Sequence, residues 1–262
     1  MKWNVDPELL RIGPFAIRYY SLMFIIGFFS MGHYVSKLFK EDGKNPEDVS
    51  NLTTYIIIGM LLGARLAHCL FYEPDYYFQH PMEILFVWQG GLASHGGYVG
   101  VIIAVLLFLR KYPGYNFLRL MDCIAGPCLF VGGLIRLGNF MNSEIYGRPT
   151  DLPWAIVFER VDSIPRHPAQ LYESIGYFTI AFILAALYKF KRDEWKRGAV
   201  FCTAMILSFG FRFFIEFTKD EQSTLLNQPV INMGQWLSVA FVLFGILLAV
   251  TLPSKDKVPT KL

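Results

Sequence analysis

The sequence predicts an all-α integral membrane protein with seven transmembrane helices, its N-terminus outside and its C-terminus cytoplasmic. Three observations carry that expectation: the composition, the recurrence of long apolar windows, and the side on which basic residues fall. Of the 262 residues, 54% are hydrophobic and 17% charged, against about 25% charged in an ordinary globular domain. Mean hydropathy is +0.38. Windows of about 18 to 22 mostly apolar residues recur along the chain, each long enough to cross a hydrocarbon core of about 30 Å.

The first window, Tyr19–Leu38, is not preceded by a short apolar core with a small-residue cleavage site, so it is expected to act as the insertion signal. Leu52–Tyr72 is the second and carries Arg65. Gly96–Leu109, the third, is short and is expected to begin inside the protein, where irregular backbone is tolerated. Leu118–Leu137 runs through an apolar stretch straight into Arg136. Ala169–Phe190 follows the punctuation of Pro165 and Pro168, and Ala199–Phe217 contains Arg212 and Glu216. Met233–Leu252 is the seventh. No internal repeat or low-complexity linker divides them. Residues 1–262 are therefore expected to form a single polytopic domain, with 139–168 an outer-side loop segment between the fourth and fifth spans.

Charge sets the orientation. The connections after spans one, three and five, with the C-terminal tail (Lys255, Lys257, Lys261), hold 14 basic residues; the opposite side holds six, among them Lys2, Arg148 and Lys219. Positive charge near span ends stays cytoplasmic. The formal net charge of +3 is then topogenic and leaves no footprint for nucleic acid. All four cysteines (Cys69, Cys123, Cys128, Cys202) fall in expected spans, without metal-ligand or disulfide-framework spacing, and read as packing residues.

The remaining arginines, Arg18, Arg65, Arg136 and Arg212, lie in or at the ends of spans. Each would cost roughly 2.5–3.5 kcal/mol facing lipid on translocon-type scales, so they must face partners, water or an anion. Glu144 and Glu216 are the expected partners; Glu216 follows Arg212 by one helical turn. Ion pairing is the plain reading for Arg65, whereas Arg136 and Arg212 both lie where spans end on the outer side and suit an anion site. Arg136 lies in the block GGLIRLGNFMNSEIYG (132–147), rich in glycine and asparagine. His95 stands between glycine pairs in GGLASHGG (90–97), which leaves its ring uncrowded. His167 and Glu173 lie in PRHPAQLYE (165–173), where they read as a helix cap and a favourable charge on the first turn. No histidine has metal-ligand spacing, so no metal and no cofactor are expected.

Taken in order, RYYSLM, GGLASHGG, GGLIRLGNFMNSEIYG, PRHPAQLYE and FRFFIEF resemble the prolipoprotein diacylglyceryl transferase family of bacterial inner membranes, from about Gly13 to Gln235. The resemblance implies transfer of the diacylglyceryl group of phosphatidylglycerol to the thiol of the lipobox cysteine of a preprolipoprotein. A thioether forms and glycerol phosphate leaves, at a site on the periplasmic side of a multi-pass inner-membrane protein. It places Tyr20, His95, Arg136, Asn139, Glu144, Gly147, Arg212 and Glu216 at positions the family uses. Three departures stand out: Ile135 where glycine usual precedes the arginine, Ser208 where tyrosine is common, and Lys219 for a frequent arginine.

The chemistry fits the residues. A thiol attacking a carbon that bears a phosphate leaving group needs thiolate and anion stabilisation. Free cysteine titrates near 8.5 and histidine near 6.5, so proton transfer to imidazole in water is uphill by roughly 2.7 kcal/mol. His95 is the candidate base. Arg136 and Arg212 are the candidate phosphate clamps, because a guanidinium donates two parallel hydrogen bonds. Tyr20, Asn139 and Asn142 can orient the headgroup or the peptide backbone. Two other classes compete. A channel or transporter for an anionic solute would place arginines along a pathway open to both faces, and its inverted repeats are not visible here. Other lipid enzymes would carry spaced aspartates or an HxxxxD motif, and neither occurs.

Overall fold

The computed structural model describes residues 1–13, 15–87, 90–191, 194–219 and 231–252. Lys255, Lys257, Lys261 and Arg192, which entered the charge argument, lie outside the described residues. Helices dominate. Six of them among the described residues are long and apolar enough to cross a membrane: α1 (Tyr19–Glu41), α2 (Asp48–Phe71), α5 (Phe117–Met141), α6 (Ala169–Lys191), α7 (Ala199–Ile215, continued to Thr218 by a 3-10 turn) and α8 (Met233–Thr251). The third expected span lies within a shorter helix, α4 (Ser94–Lys111), and the short helix α3 (Pro74–Gln79) precedes it. The helices outrun the apolar windows because hydrogen bonding continues into flanking polar residues, such as Asp48, Ser50 and Asn51 before the second window.

Among the described residues five short strands supplement the helices: β1 (Lys2–Trp3), β2 (Glu8–Ile12), β3 (Phe15–Arg18), β4 (Ile156–Phe158) and β5 (Pro165–Arg166). Strand β1 pairs parallel with β4, and β4 antiparallel with β5; β2 and β3 form a separate antiparallel hairpin. None was apparent as an alternating pattern, because strands of two to five residues are too short to show one.

The chain divides into two compact units. One contains 1–34 and the described part of 122–252; the other contains 35–121. In the first, Phe140, Ile156 and Phe158 are buried together, with Trp3, Tyr146 and Leu171 packed around them. The Met1 ammonium donates to the Ala155 carbonyl at 3.1 Å, and the Trp3 and Phe140 rings lie 4.2 Å apart. Asp122 accepts from the backbone N–H groups of Gly198 (2.7 Å) and Phe201 (2.8 Å), satisfying donors that the start of α7 would otherwise leave open.

In the second unit α2 and α4 pack at backbone contact. A Cβ on Gly59, Gly63, Gly96 or Gly100 would collide with the facing helix: Gly59 and Gly100 would meet each other's carbonyls, as would Gly63 and Gly96. Small residues at helical spacing are what allow such an approach. On the far side Asp48 accepts from Tyr115 Oη at 2.6 Å, and Arg119 pairs with Asp42 at 3.2 Å.

Of the four arginines singled out by the sequence, Arg18 is exposed at the end of β3. Arg65, Arg136 and Arg212 are buried.

Candidate active site

Four helix ends meet in the first unit: the C-terminal ends of α5 and α7 and the N-terminal ends of α6 and α8. Arg136 comes from α5, five residues before its end, and Arg212 from the last turn of α7, where a cation suits the helix dipole. Between them stands Glu173, on the second turn of α6 and 0% exposed. Its Oε2 lies 3.0 Å from Arg136 Nε, while its Oε1 lies 2.8 Å from Lys219 Nζ and 3.8 Å from Arg212 Nη1. One carboxylate thus holds three cations.

Glu216 completes the cluster from the turn after α7. Its Oε2 is 3.6 Å from Lys219 Nζ, and its side chain lies against Gly234 at the start of α8, where a Cβ would be 2.7 Å from Oε1. A carboxylate at a helix N-terminus is electrostatically favoured. Asn232 caps that helix reciprocally with Gln235. Arg136, Arg212, Lys219 and Glu216 are all 7–9% exposed. Three cations against two carboxylates leave this buried cluster one net positive charge in formal terms. Burial pushes the Lys219 ammonium below the ordinary lysine range, Glu173 draws it back up, and the Arg212 charge pushes it down again. Such a cluster can accept an anion.

Arg136 extends outward through amides. Its Nη1 donates to Asn139 Oδ1 at 3.3 Å, and Asn139 Nδ2 donates to Glu144 Oε2 at 3.3 Å. Asn142 Nδ2 donates to the other Glu144 oxygen at 3.2 Å. Glu144 is exposed. It sits between two residues in the left-handed region, Ser143 (φ 56°) and Ile145 (φ 55°). For a β-branched residue that conformation is an outlier, costing about 1–3 kcal/mol. Neighbours over-determine it: the Glu144 N–H donates to Asn139 O at 2.9 Å, and the fully buried Gln170 donates to Glu144 O at 2.6 Å.

Gly147 knits three segments together. Its N–H donates to His167 O at 2.9 Å, the next N–H, of Arg148, donates to Thr218 O at 2.9 Å, and Gly147 bridges Lys219 across an antiparallel contact. A Cβ there would collide with the Thr218 carbonyl and lie 2.6 Å from the Cβ of His167. The glycine therefore lets its own backbone pass between His167 and the segment that carries Lys219. His167 itself is kept below the usual histidine range by burial and the Arg148 charge; its Nδ1 lies 3.3 Å from Tyr172 Oη.

Arg136, Asn139, Asn142, Glu144, Gly147, Arg212 and Glu216 are thus joined within one unit. Tyr20 belongs to it too: its ring and Cα lie against Gly138, where a Cβ would be 2.8 Å from Cδ2. His95 lies in the other unit, buried on the first turn of α4. The expected counter-ions were Glu144 and Glu216. In the structure the carboxylate between the arginines is Glu173, and Arg136 reaches Glu144 through Asn139. The sequence alone offers Glu173 only a helix-dipole role and marks Lys219 only as a departure from the family pattern. The signal was present: Glu173 is the only acid in its span, and an intramembrane acid needs a partner as much as an arginine does. Among the described residues no group of three or more histidines, cysteines or acids could hold a metal ion.

Comparison with known proteins reaches nearly the whole chain. The prolipoprotein diacylglyceryl transferase family profile matches residues 7–251. A relative from Tolumonas auensis is 46% identical over 255 residues, covering 97% of this chain and 98% of its own length. Relatives from Chloroherpeton thalassium and Bacteroides fragilis are 44% and 42% identical, each across 94% of this chain and 92% and 93% of their own lengths. All three are named phosphatidylglycerol–prolipoprotein diacylglyceryl transferase.

Proposed function

The chain belongs to the prolipoprotein diacylglyceryl transferase family, and we propose that it moves the diacylglyceryl group of phosphatidylglycerol onto the lipobox cysteine of preprolipoproteins. It acts as one polytopic domain of the bacterial inner membrane, with α4 as the third of seven spans and the site on the periplasmic side. The observation that carries this reading is the net positive cluster around Glu173.

The bookkeeping of the reaction explains why such a cluster is useful. The cysteine sulfur forms a bond to the glycerol CH₂ next to the phosphodiester oxygen. That C–O bond breaks, and its electron pair stays with the phosphate oxygen. A phosphodiester carries one negative charge, whereas the departing phosphomonoester carries about −1.5 to −2 near pH 7. Charge therefore develops at the phosphate as the bond breaks. Cations fixed beforehand stabilise that state more than the bound lipid. Arg136 and Arg212 are the clamps, each able to present a planar fork to phosphate oxygens.

His95 takes the thiol proton. General base assistance of this kind contributes about 10²–10⁴-fold. Tyr20, Asn139, Asn142 and Glu144 orient the glycerol headgroup or the peptide backbone. Gly147 and Glu216 keep the clamp region in register. The test is direct: purified protein, phosphatidylglycerol and a lipobox peptide, with the peptide analysed by mass spectrometry. A diacylglyceryl adduct on the cysteine is expected, together with free glycerol phosphate. Transfer of an acyl chain, or none, would refute the assignment.

A further inference from the structure

We propose that Arg65 is a positioning residue for His95, acting through the backbone of the loop that leads into α4. The inference rests on the reading of His95 as the base. Arg65 lies on α2 and is only 2% exposed, yet among the described residues its guanidinium forms no ion pair with a carboxylate. It is met by carbonyl oxygens instead. Nε donates to Ile84 O at 3.1 Å, Nη2 to Glu83 O at 2.6 Å, and Nη1 to Gly90 O at 2.6 Å and Gly91 O at 3.5 Å. The Tyr77 ring centre lies 5.0 Å from the guanidinium carbon, within cation–π range.

Two neighbours on α2 continue the same grip. Ala64 O accepts from the Ala93 N–H at 2.9 Å. Gly63 lies against Gly96 so closely that a Cβ on either would collide with the other's carbonyl oxygen. Residues 63, 64 and 65 of one helix therefore hold residues 96, 93 and 90–91 of the other segment. His95 falls between these fixed points and is itself 6% exposed. Gly90 (φ 91°) and Gly91 (φ 66°) take left-handed conformations that let both carbonyls turn toward one guanidinium. The geometry calls for arginine specifically. Five N–H donors in a rigid fork can serve several carbonyls from one buried position, whereas lysine offers three donors around a single point charge.

The role is separable from mere stabilisation. Full-length Arg65→Gln and Arg65→Lys, assayed in detergent with phosphatidylglycerol and a lipobox peptide, should keep KM for the lipid. The glutamine variant should lose about 10²-fold in kcat, the cost of an ångström-scale misplacement, and the lysine variant should recover part of it. Amide exchange should quicken over residues 90–97 and stay unchanged over α5 to α7. In a His95→Gln background, Arg65→Gln should change the residual rate by less than about twofold, since coupled residues are non-additive. If Arg65→Gln does not insert, Gly91→Ala gives the same reading. It retains Arg65 but places a Cβ 2.6 Å from His68 Nε2 and 2.9 Å from Arg65 Nη1, and its kcat should fall with KM preserved. Equal losses with and without His95, or a normal kcat despite faster exchange, would overturn the positioning role alone. Near-normal turnover by His95→Gln itself would instead remove the base, and this proposal with it.

Discussion

Glu173→Gln is the substitution that most strains this arrangement. It removes one negative charge from a point 3.0 Å from Arg136, 2.8 Å from Lys219 and 3.8 Å from Arg212. At an effective dielectric constant of about 20, one unit pair near 3 Å is worth roughly 5 kcal/mol before desolvation is counted. Measured losses on breaking a buried pair are smaller, about 3–5 kcal/mol, because part of the Coulomb energy was already offset by desolvation. Three cations facing one another put this case at the upper end of that range. An ordinary domain has only about 5–15 kcal/mol in total. Removing one cation as well should relieve part of the damage. Lys219→Met in the same chain leaves two arginines against Glu216, and the pair of substitutions should show a coupling of about 1–3 kcal/mol. Unfolding of the detergent-solubilised protein, followed by near-ultraviolet circular dichroism for wild type, both single variants and the double variant, measures it. A single Glu173→Gln variant as stable as wild type, or a coupling of zero, would refute the shared-carboxylate account.

Gly147→Ala should sharply reduce transfer and stability, since its Cβ would collide with the Thr218 carbonyl and displace the backbone carrying Lys219. Gly210→Ala is the matched control: among the described residues, no atom beyond its own stretch of helix backbone lies within 4 Å of its Cβ position, and a helical Gly→Ala change should stabilise by about 0.5–1 kcal/mol. Thermal midpoints and transfer rates of the two variants decide the matter. For topology, single cysteines replacing Asn45 and Asp151 in a cysteine-free background should differ in intact cells. The cysteine at 151 should react with an impermeant thiol reagent and the one at 45 should not, and the reverse pattern would invert the orientation.

Much of the fold was legible because membrane spans announce themselves by composition. The six long helices sit on the apolar windows, and the third window sits within α4. The short strands were not legible, since two to five residues are too few to display a period and β1 meets β4 only through tertiary packing. The same limit governed the site. Asn139, Asn142 and Glu144 lie within a few residues of Arg136, and their contacts follow from that proximity. Glu173 is 37 residues from Arg136 and 39 from Arg212, and no local spacing links them. What brings them together is the antiparallel meeting of helix ends. For Arg65 the sequence suggests a structural ion pair. The structure supplies carbonyls in place of the expected carboxylate, a partner that no side-chain inventory contains.

The central claim is that Arg136 and Arg212 form a phosphate seat. Equilibrium binding of glycerol phosphate to the purified protein, measured calorimetrically, tests it without depending on turnover. Each charged hydrogen bond is worth about 1.5–3 kcal/mol, so Arg136→Gln and Arg212→Gln should each weaken binding by roughly one to two powers of ten. The corresponding lysine variants should fall between, because a point charge cannot reproduce the fork. Wild-type affinity in both glutamine variants, with the protein folded, would contradict the account and leave the arginines as counter-ions of Glu173 alone.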